Sequence, residues 1–289
     1  MNIRVVNLFG VALSKMDGIL LVDKEKGITS RDVVNKISKE LNIKKVGHAG
    51  TLDPLATGLM VIGIGKGTKI LDLLTSDKKE YIATVKLGIQ TDTLDITGNI
   101  VKKIDNYILK KDKLESILKF FSKTYMQTVP KYSAIKINGK KLYEYARNDI
   151  EIELPKKEVT IYSIELIDFK ENEFTFKTLV SKGTYIRSLI NDIGNSLNIP
   201  MTMKELRRTK SGKFKINDIN SKIIAIKDAL DFKIITITDS DLLKRVINGN
   251  EIYLNDIDFP YITIVNQKGK ELAIYKKEEK LKYKAFKVF

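Results

Sequence analysis

The stretch Gly47–Gly58, GHAGTLDPLATG, constrains this chain more than any other part of it. It contains the single histidine of the protein, His48, and an aspartate, Asp53, directly before Pro54. Because proline disfavours the helical conformation of the residue before it, Asp53 is predicted to lie in an extended or turn conformation. The apolar run Leu59–Ile62 that follows is bounded by glycines, which is typical of a buried strand. The sequence therefore predicts a carboxylate held on a stiff loop that leads into a core strand.

Two interpretations of Asp53 fit its immediate neighbours. An aspartate before proline commonly starts a turn and hydrogen-bonds its own backbone. A carboxylate on a loop that is anchored to a rigid strand is also a suitable catalytic group. His48 is equally ambiguous, because a lone histidine is compatible with a loop, a core position or a site. The local residues therefore leave both interpretations open.

Excess positive charge is concentrated in three parts of the chain. The 289 residues carry 51 lysines and arginines against 36 aspartates and glutamates, which gives a net charge of +15. Most of this excess lies in segments 131–147, 202–215 and 268–289, which we call the three basic segments. Clustered charge of this size predicts a polyanionic partner such as nucleic acid. A lysine-rich solubilising surface is the alternative.

The composition also argues against several classes of protein. Cysteine is absent and histidine occurs once, so disulfides and thiolate metal sites are excluded and we expect no bound metal. No apolar run reaches the roughly 18 residues of a membrane span. Residues 1–15 place an apolar patch after a single arginine, which is a poor match to a signal peptide. We therefore interpret residues 1–15 as an N-terminal extension and expect a cytoplasmic protein without a membrane partner.

A glycine-rich loop, Gly63–Lys69, follows the predicted strand and precedes another apolar run. A strand, a glycine loop and a helix in this order occur in phosphate-binding sites, but the spacing matches neither GxxxxGK[ST] nor GxGxxG. A phosphate-handling nucleotide enzyme therefore stays as an alternative function. Lys69 is expected either near an RNA phosphate or in a structural pair.

Alternating apolar residues predict two further parts of a sheet. Tyr81 is in phase with the apolar residues at every second position after it, so its side chain is expected on the buried face of a strand. A core tyrosine with a satisfied hydroxyl is the alternative to a binding role. Segments 159–169 and 173–181 are predicted to pair as a hairpin across a polar turn.

Helical periodicity predicts three helices that pack one face on a core. Thr29, with Asp32 three residues later, is expected to cap the first helix, and segment 112–121 reads as a second, capped helix. If Thr184 is the N-cap of the third, Arg187 falls in its first turn, where the helix dipole disfavours a cation. A carboxylate partner is therefore expected for Arg187, and a solvated arginine is the alternative.

The stretch Gly47–Gly58 resembles the signature of the TruB family of pseudouridine synthases. Further matches occur in the order of that family, and the resemblance covers about residues 16–289. The matching segments are Lys79-Glu80-Tyr81, the family's thumb-like basic and aromatic segment at 131–147, Gly183-Thr184-Tyr185-Ile186-Arg187, Leu206-Arg207-Arg208, and the C-terminal 283–289.

This resemblance implies an α+β fold with two domains. A central, mostly antiparallel sheet flanked by helices would form the catalytic domain, followed by a small β-rich PUA-like RNA-binding domain. We expect the catalytic domain at residues 16–237, with the thumb-like insertion at about 125–158. The PUA-like domain is expected at residues 238–289.

The resemblance also implies roles for individual residues. Asp53 would be the catalytic aspartate, Arg187 would pair with it, and Tyr81 would stack on the target base. The resemblance leaves open whether the aspartate attacks ribose C1′ or uracil C6. The other residues expected to bind substrate are His48, Tyr185, Leu206 and Lys69.

The implied activity is the isomerisation of uridine to pseudouridine at position 55 in the T-loop of tRNA. The target base would first be flipped out of its stack, and the reaction would need no cofactor. The T-arm stem-loop of tRNA is the expected partner, and the enzyme is expected to be a monomer. An RNA-guided dyskerin-type enzyme of the same family and a non-catalytic RNA-binding protein are the alternatives, beside the phosphate-handling enzyme.

Overall fold

The computed structural model describes residues 17–75, 78–148 and 150–289. The predicted extension at residues 1–15 lies outside these residues. The strands are β1 Gly18–Lys24, β2 Val46–His48, β3 Thr57–Ile64, β4 Lys79–Leu87, β5 Ile89–Thr91, β6 Ile100–Lys103, β7 Thr124–Thr128, β8 Lys136–Ile137, β9 Lys140–Lys141, β10 Lys156–Lys170, β11 Glu173–Val180, β12 Met201–Ser211, β13 Phe214–Lys215, β14 Ile223–Ile224, β15 Lys233–Ile237, β16 Ile252–Tyr253, β17 Tyr261–Asn266, β18 Glu271–Lys277 and β19 Lys282–Val288. The α-helices are α1 Ser30–Leu41, α2 Leu71–Thr75, α3 Lys111–Phe120, α4 Leu142–Arg147, α5 Ile186–Leu197, α6 Ile226–Ala229 and α7 Ser240–Ile247, and 3₁₀ turns lie at Gly65–Ile70 and Ile216–Asp218.

Ten strands form a central sheet whose continuous path runs β14-β1-β3-β12-β4-β11-β10-β7, with β2 added to β3 and β13 added to β12. Strands β3 and β12 pair in parallel at Thr57–Arg207 and Gly58–Arg208, whereas the other pairs of this sheet are antiparallel. The predicted hairpin is confirmed as β10 and β11. The expected α+β fold with a mostly antiparallel central sheet is therefore confirmed.

Both faces of the central sheet are covered, which explains why β1 reads as an unbroken apolar run. On one face, Leu20 and Val22 belong to a large apolar cluster that also includes residues of α1, α3 and α5. Ile19 and Leu21 pack on the other face, in a cluster with α6 and with Ile274 of β18. Neighbouring residues of β1 are thus buried in two separate cores. Because neither face is exposed to solvent, the sequence of β1 does not alternate between apolar and polar residues.

Helix α1 begins as the sequence predicts. The Thr29 hydroxyl accepts a hydrogen bond from the Asp32 N–H at 3.1 Å, and the Asp32 carboxylate accepts one from the Thr29 N–H at 2.9 Å. This reciprocal capping satisfies two backbone donors that the helix itself cannot. The apolar face of α1 is buried against the sheet.

The predicted start of α5 is wrong by one residue. Tyr185, not Thr184, is the N-cap residue, and its side chain forms no capping hydrogen bond. A distant strand holds this residue instead, because the side-chain oxygen of Gln127 in β7 accepts a hydrogen bond from the Tyr185 N–H at 2.9 Å. The Thr184 hydroxyl donates to the Ser181 carbonyl at 2.9 Å. Arg187 still falls within the first turn of the helix.

The N-terminus of α3 also differs from the prediction. The helix begins at Lys111, after Lys110 at the N-cap position, and no side chain caps it. Asp112 therefore lies inside the first turn, where a carboxylate interacts favourably with the helix dipole.

Five strands form a second, smaller sheet in the order β15-β17-β18-β19-β16. This β-rich C-terminal part agrees with the expected PUA-like fold. Its first strand, β15, begins at Lys233, upstream of the boundary predicted at residue 238. Between β7 and β10, residues 129–155 leave the central sheet and carry the short hairpin β8–β9 and helix α4, at the place predicted for the thumb. The limits of the domains stay predictions. Within the described residues, no helix combines the length and apolar character that crossing a bilayer requires.

Candidate active site

The loop that carries Asp53 connects β2 to β3 and is fixed from several directions. The Ser30 hydroxyl, at the start of α1, donates to the Leu52 carbonyl at 2.9 Å and accepts from the Leu52 N–H at 2.8 Å. The Ala56 N–H closes a turn on the Asp53 carbonyl at 3.0 Å. The sequence-predicted stiff loop is thus tied to the first helix and to its own turn. Its carboxylate keeps access to solvent, with 38% of the side chain exposed.

Arg187 lies against this carboxylate and is itself almost fully enclosed. Its Nη2 is 2.9 Å from Asp53 Oδ2, and 5% of its side chain is exposed. The guanidinium also donates to the carbonyls of Thr93 and Tyr132, both at 3.0 Å. The carboxylate partner expected for Arg187 is therefore present. Because the guanidinium is held at three points, the ion pair has one defined geometry.

A cavity of about 500 Å³ opens above the ion pair. Tyr81, Tyr185 and Leu206 line it together with Asp53 and Arg187, so five of the seven residues predicted from the sequence meet at one place. Tyr81 is buried near the start of β4, on the face predicted by its alternation. Burial raises the pKa of the Tyr185 phenol above its ordinary value, which further disfavours the phenolate. Such a cavity is suited to a flat ring beside a carboxylate.

Charge in this cavity is strongly unbalanced. Among the described residues that line it, Asp53 is the single carboxylate, and it is accompanied by the cationic side chains of Lys79, Lys157, Lys182, Arg187 and Arg208. A cavity with this excess of positive charge attracts a polyanion, and the Asp53 carboxylate is the negative group that could react there.

Lys24, at the end of β1, supports the loop from below. Its ammonium donates to the carbonyls of Ala56 at 2.6 Å, Glu25 at 3.0 Å and Pro54 at 3.2 Å. Burial lowers its pKa to about 8, and the nearby Asp53 carboxylate acts in the opposite direction. Lys24 therefore holds the backbone on the C-terminal side of Asp53.

The thumb segment contributes part of the cavity wall. Tyr132, Ser133, Ala134 and Tyr143 line it. Lys141 Nζ and Arg147 Cζ each lie 5.3 Å from the centroid of the Tyr143 ring. Two aromatic residues of the thumb segment, Tyr132 and Tyr143, thus line the cavity, and aromatic rings of this kind can stack on the bases of single-stranded nucleic acid.

Two predicted substrate-binding residues lie outside this cavity wall. His48 pairs with Ile62 in the β2–β3 ladder, and burial, followed by the charges of Arg31 and Arg208, lowers its pKa below the ordinary value. Its Nδ1 atom is buried and has no hydrogen-bond partner in the described part of the chain. Lys69 donates to the Val288 carbonyl of β19. Of the two expectations for Lys69, this contact matches the structural pair.

The glycine-rich loop after β3 has a packing explanation. A Cβ atom on Gly67 would lie 2.0 Å from the Gly18 carbonyl oxygen of β1, so Gly67 is needed for two backbones to approach each other. Gly63 is similarly confined by the Gly67 backbone, at 2.9 Å. These contacts account for Gly63 and Gly67 without a bound phosphate, which weakens the support for a phosphate-handling enzyme.

Sequence reasoning missed three residues that shape the site. Lys24 and Arg208 lie within strands, where a cation is usually assigned to the solvent side, and Gln127 has no local signal at all. For Arg208 a signal existed, because it is in phase with Leu206 on β12 and therefore shares its face. The hydrogen bond from the Tyr185 N–H to Gln127 depends on the packing of β7 beside α5 and could not be found from local sequence.

Comparison with known proteins identifies relatives along most of the chain. Residues 38–186 match the model of the TruB family pseudouridylate synthase N-terminal domain, and residues 187–255 match that of the tRNA pseudouridylate synthase B C-terminal domain. The chain is 44% identical to tRNA pseudouridine synthase B of Caldicellulosiruptor saccharolyticus over 93% of its own length and 97% of the relative's. It is also 44% identical to the protein of that name from Clostridium kluyveri, over 82% and 86% of the two chains.

Solved structures agree with the fold. A chain of a Cbf5-Nop10-Gar1 complex has a TM-score of 0.68 and 26% identity, covering 94% of this chain and 84% of that one. A chain of an H/ACA RNP bound to a substrate RNA containing 2′-deoxyuridine has a TM-score of 0.69 and 24% identity, with the same two coverages. At this level of identity the second comparison supports the fold alone.

Proposed function

The chain belongs to the TruB family of pseudouridylate synthases, and on that premise we propose that it isomerises uridine to pseudouridine at position 55 in the T-loop of tRNA. The observation that carries the proposal is the 2.9 Å Asp53–Arg187 ion pair at the base of a cavity lined by Tyr81, Tyr185 and Leu206. One carboxylate among several cations is what a reaction on a single base within a polyanion needs.

The isomerisation conserves atoms and electrons. The N1–C1′ glycosidic bond breaks, uracil turns within the cavity, and C5 forms the new bond to C1′. The proton on C5 is lost and N1 gains one, so the reaction needs no oxidant, reductant or cofactor. Asp53 acts as the nucleophile and forms a covalent intermediate with the substrate. Arg187 fixes the direction in which the Asp53 carboxylate points.

The cavity provides for a base that has left its stack. Flipping costs a few kcal/mol, and stacking on an aromatic ring returns about 1–3 kcal/mol. Tyr81 supplies this ring, and Leu206 and Tyr185 close the sides of the cavity. The thumb and the lysines of the three basic segments bind the phosphates of the T-arm stem-loop, and the enzyme works as a cytoplasmic monomer.

Incubation with an unmodified tRNA transcript, followed by mapping of pseudouridine, tests this function. A transcript with cytidine at position 55 and an isolated T-arm stem-loop are the matched substrates. We expect one pseudouridine, at position 55, in both the full transcript and the stem-loop, and none in the cytidine transcript. Modification that requires an added guide RNA would instead identify a dyskerin-type enzyme, and tight binding without any product would identify a non-catalytic RNA-binding protein.

A further inference from the structure

Arg208 is enclosed beneath the loop that carries Asp53. Its side chain is fully buried, and it lines the cavity of the candidate site. On β12 it lies between two other strands of the site, in register with Gly58 of β3 on one side and with Tyr81 of β4 on the other. It is therefore the point at which the signature stretch and the base-stacking tyrosine meet.

The guanidinium of Arg208 is used to hold backbone carbonyls. It donates to Leu59 at 2.7 Å, to Gly50 at 3.3 Å and to Thr51 at 3.5 Å. Within the described ranges of the chain, no carboxylate lies within ion-pair distance of it. Burying a guanidinium without a carboxylate partner costs free energy of folding. We therefore expect Arg208 to contribute something that offsets this cost. The three carbonyls lie on both sides of Asp53 in the chain, which indicates that Arg208 acts on the loop that carries Asp53.

The glycines of the signature stretch fit this arrangement. A Cβ atom on Gly58 would lie 2.3 Å from the Arg208 carbonyl oxygen, and Gly58 has a φ of +104°. A side chain there would therefore push β3 away from β12. At Gly50 a Cβ atom would lie 3.6 Å from Arg208 Nη1, which is ordinary contact. Because Gly58 lacks a side chain, β12 can approach β3 closely enough for the Arg208 side chain to contact Gly50 at the start of the signature stretch.

We propose that Arg208 is a positioning residue for Asp53: its planar guanidinium clamps the two ends of the loop and so fixes the carboxylate in front of Arg187. The role is distinct from that of Arg187, which contacts the carboxylate directly. Lysine cannot replace it, because a single ammonium lacks the fork that spans carbonyls on two sides of the loop. The kinetic part of this proposal rests on the proposed function, whereas the clamp itself does not.

A pair of identical substitutions at neighbouring positions separates this role from a general effect of charge. Arg207 precedes Arg208 on β12, but it lies on the opposite face and forms an exposed bidentate pair with Asp23, at 2.6 and 3.1 Å. Its guanidinium contacts the signature stretch through the Thr57 hydroxyl, at 3.4 Å, and not through the backbone carbonyls that Arg208 holds. Arg207→Lys and Arg208→Lys both keep the positive charge and both remove a guanidinium fork. Their difference therefore reports the clamp.

The first measurement is amide hydrogen exchange in the segment 47–60, read by mass spectrometry. This segment includes the Leu52 and Ala56 N–H groups, which are hydrogen-bonded in the intact loop. Arg208→Lys should accelerate exchange there, while Arg207→Lys should leave it as in the wild type. Equal exchange in the wild type and Arg208→Lys overturns the clamp, whatever the activity.

The second measurement is the single-turnover rate of pseudouridine formation, expressed per mole of enzyme that binds tRNA. Counting only binding-competent enzyme removes any effect of partial unfolding. Arg208→Lys should lower this rate about 10- to 100-fold, as expected for a misplaced reacting group, with little change in tRNA affinity. Arg207→Lys should stay within about twofold of the wild type.

Each result has one meaning. A normal rate in Arg208→Lys overturns the positioning role. An inactive wild type with a normal exchange pattern overturns the proposed function and leaves the clamp in place. Should Arg208→Lys yield no tRNA-binding fraction, Arg208→Gln, which is smaller and neutral, is measured in the same way, and failure of both to fold identifies Arg208 as a folding residue instead.

Discussion

Arg187 and Asp53 form an ion pair in which the cation is buried and the anion reaches solvent, with 5% and 38% of their side chains exposed. The guanidinium is additionally anchored on the Thr93 and Tyr132 carbonyls. The protein therefore fixes the cation and presents the carboxylate to whatever enters the cavity. This arrangement determines the first two predictions.

Asp53→Asn should abolish pseudouridine formation without affecting the fold. Asparagine has nearly the same shape and tolerates the turn before Pro54, but it lacks the negative charge and is a far poorer nucleophile. We expect normal tRNA binding and a loss of rate of more than about a thousandfold. Asp23→Asn, at an exposed ion pair, is the control and should retain activity. Activity retained in Asp53→Asn would return this residue to a turn-forming role.

Arg187→Lys should lose most of the activity, on the order of 100-fold, while tRNA affinity stays close to the wild type. A single ammonium cannot contact the Asp53 carboxylate and both anchoring carbonyls together. The measurement is the single-turnover rate at saturating enzyme. Arg245→Lys, on helix α7 away from the cavity, controls for the loss of a guanidinium. Near-normal turnover in Arg187→Lys would contradict the proposed partnership with Asp53.

Because of Lys24, the free energy of unfolding should rise with pH above about pH 8, whereas the activity should fall. Burial lowers its pKa to about 8, so between about pH 8 and its ordinary value of 10.5 the unfolded chain holds a proton that the folded chain has lost. In that window the contribution of Lys24 to the free energy of unfolding rises with pH. The single-turnover rate should fall in the same window, because the neutral amine holds the Pro54 and Ala56 carbonyls less firmly.

The test of Lys24 is a pH profile of the single-turnover rate from about pH 6 to about pH 10, beside a thermal unfolding series. The wild type should show an alkaline limb near pH 8. Lys24→Arg, which keeps its charge throughout, should lack that limb even if its rate is lower. A limb that persists unchanged in Lys24→Arg would assign the titration to another group.

Lys276 and Lys284 provide a test of the C-terminal sheet as an RNA surface. They lie directly opposite each other on β18 and β19, and both are exposed. Like charges at such a position destabilise a sheet, so Lys276→Gln together with Lys284→Gln should leave the fold as stable or more stable. If both lysines bind phosphates, the slope of log affinity for tRNA against log salt should fall by about 1 to 2.

The control for this pair is Lys110→Gln with Lys113→Gln, which removes the same charge near α3, outside the three basic segments. We expect this control to keep the wild-type salt slope. If both double variants lower the slope equally, the effect is one of net charge, and the C-terminal sheet has no specific part in binding.

The sequence predicted those parts of the molecule whose signals are local. The capping of α1 by Thr29, the buried orientation of Tyr81 and the β10–β11 hairpin each depend on residues close in the chain, and each is found in the structure. The start of α5 is missed because the backbone of its N-cap residue, Tyr185, is held by Gln127 of a distant strand. Arg208 was missed for a related reason, since its carbonyl partners come from another part of the chain.

The parallel pairing of β3 with β12 joins two strands that are synthesised far apart in time. Gly58 leaves the ribosome about 150 residues before Arg208, which at 5–20 residues per second is a delay of roughly 8–30 s. During this interval β3 can pair with β1 and β2, which are already made, while its edge at Thr57–Gly58 waits for β12. Asp53 therefore stands on an incompletely held loop until most of the chain has been translated. A nascent chain should consequently be inactive on tRNA, and the unpaired end of β3 is where we expect chaperones to be needed.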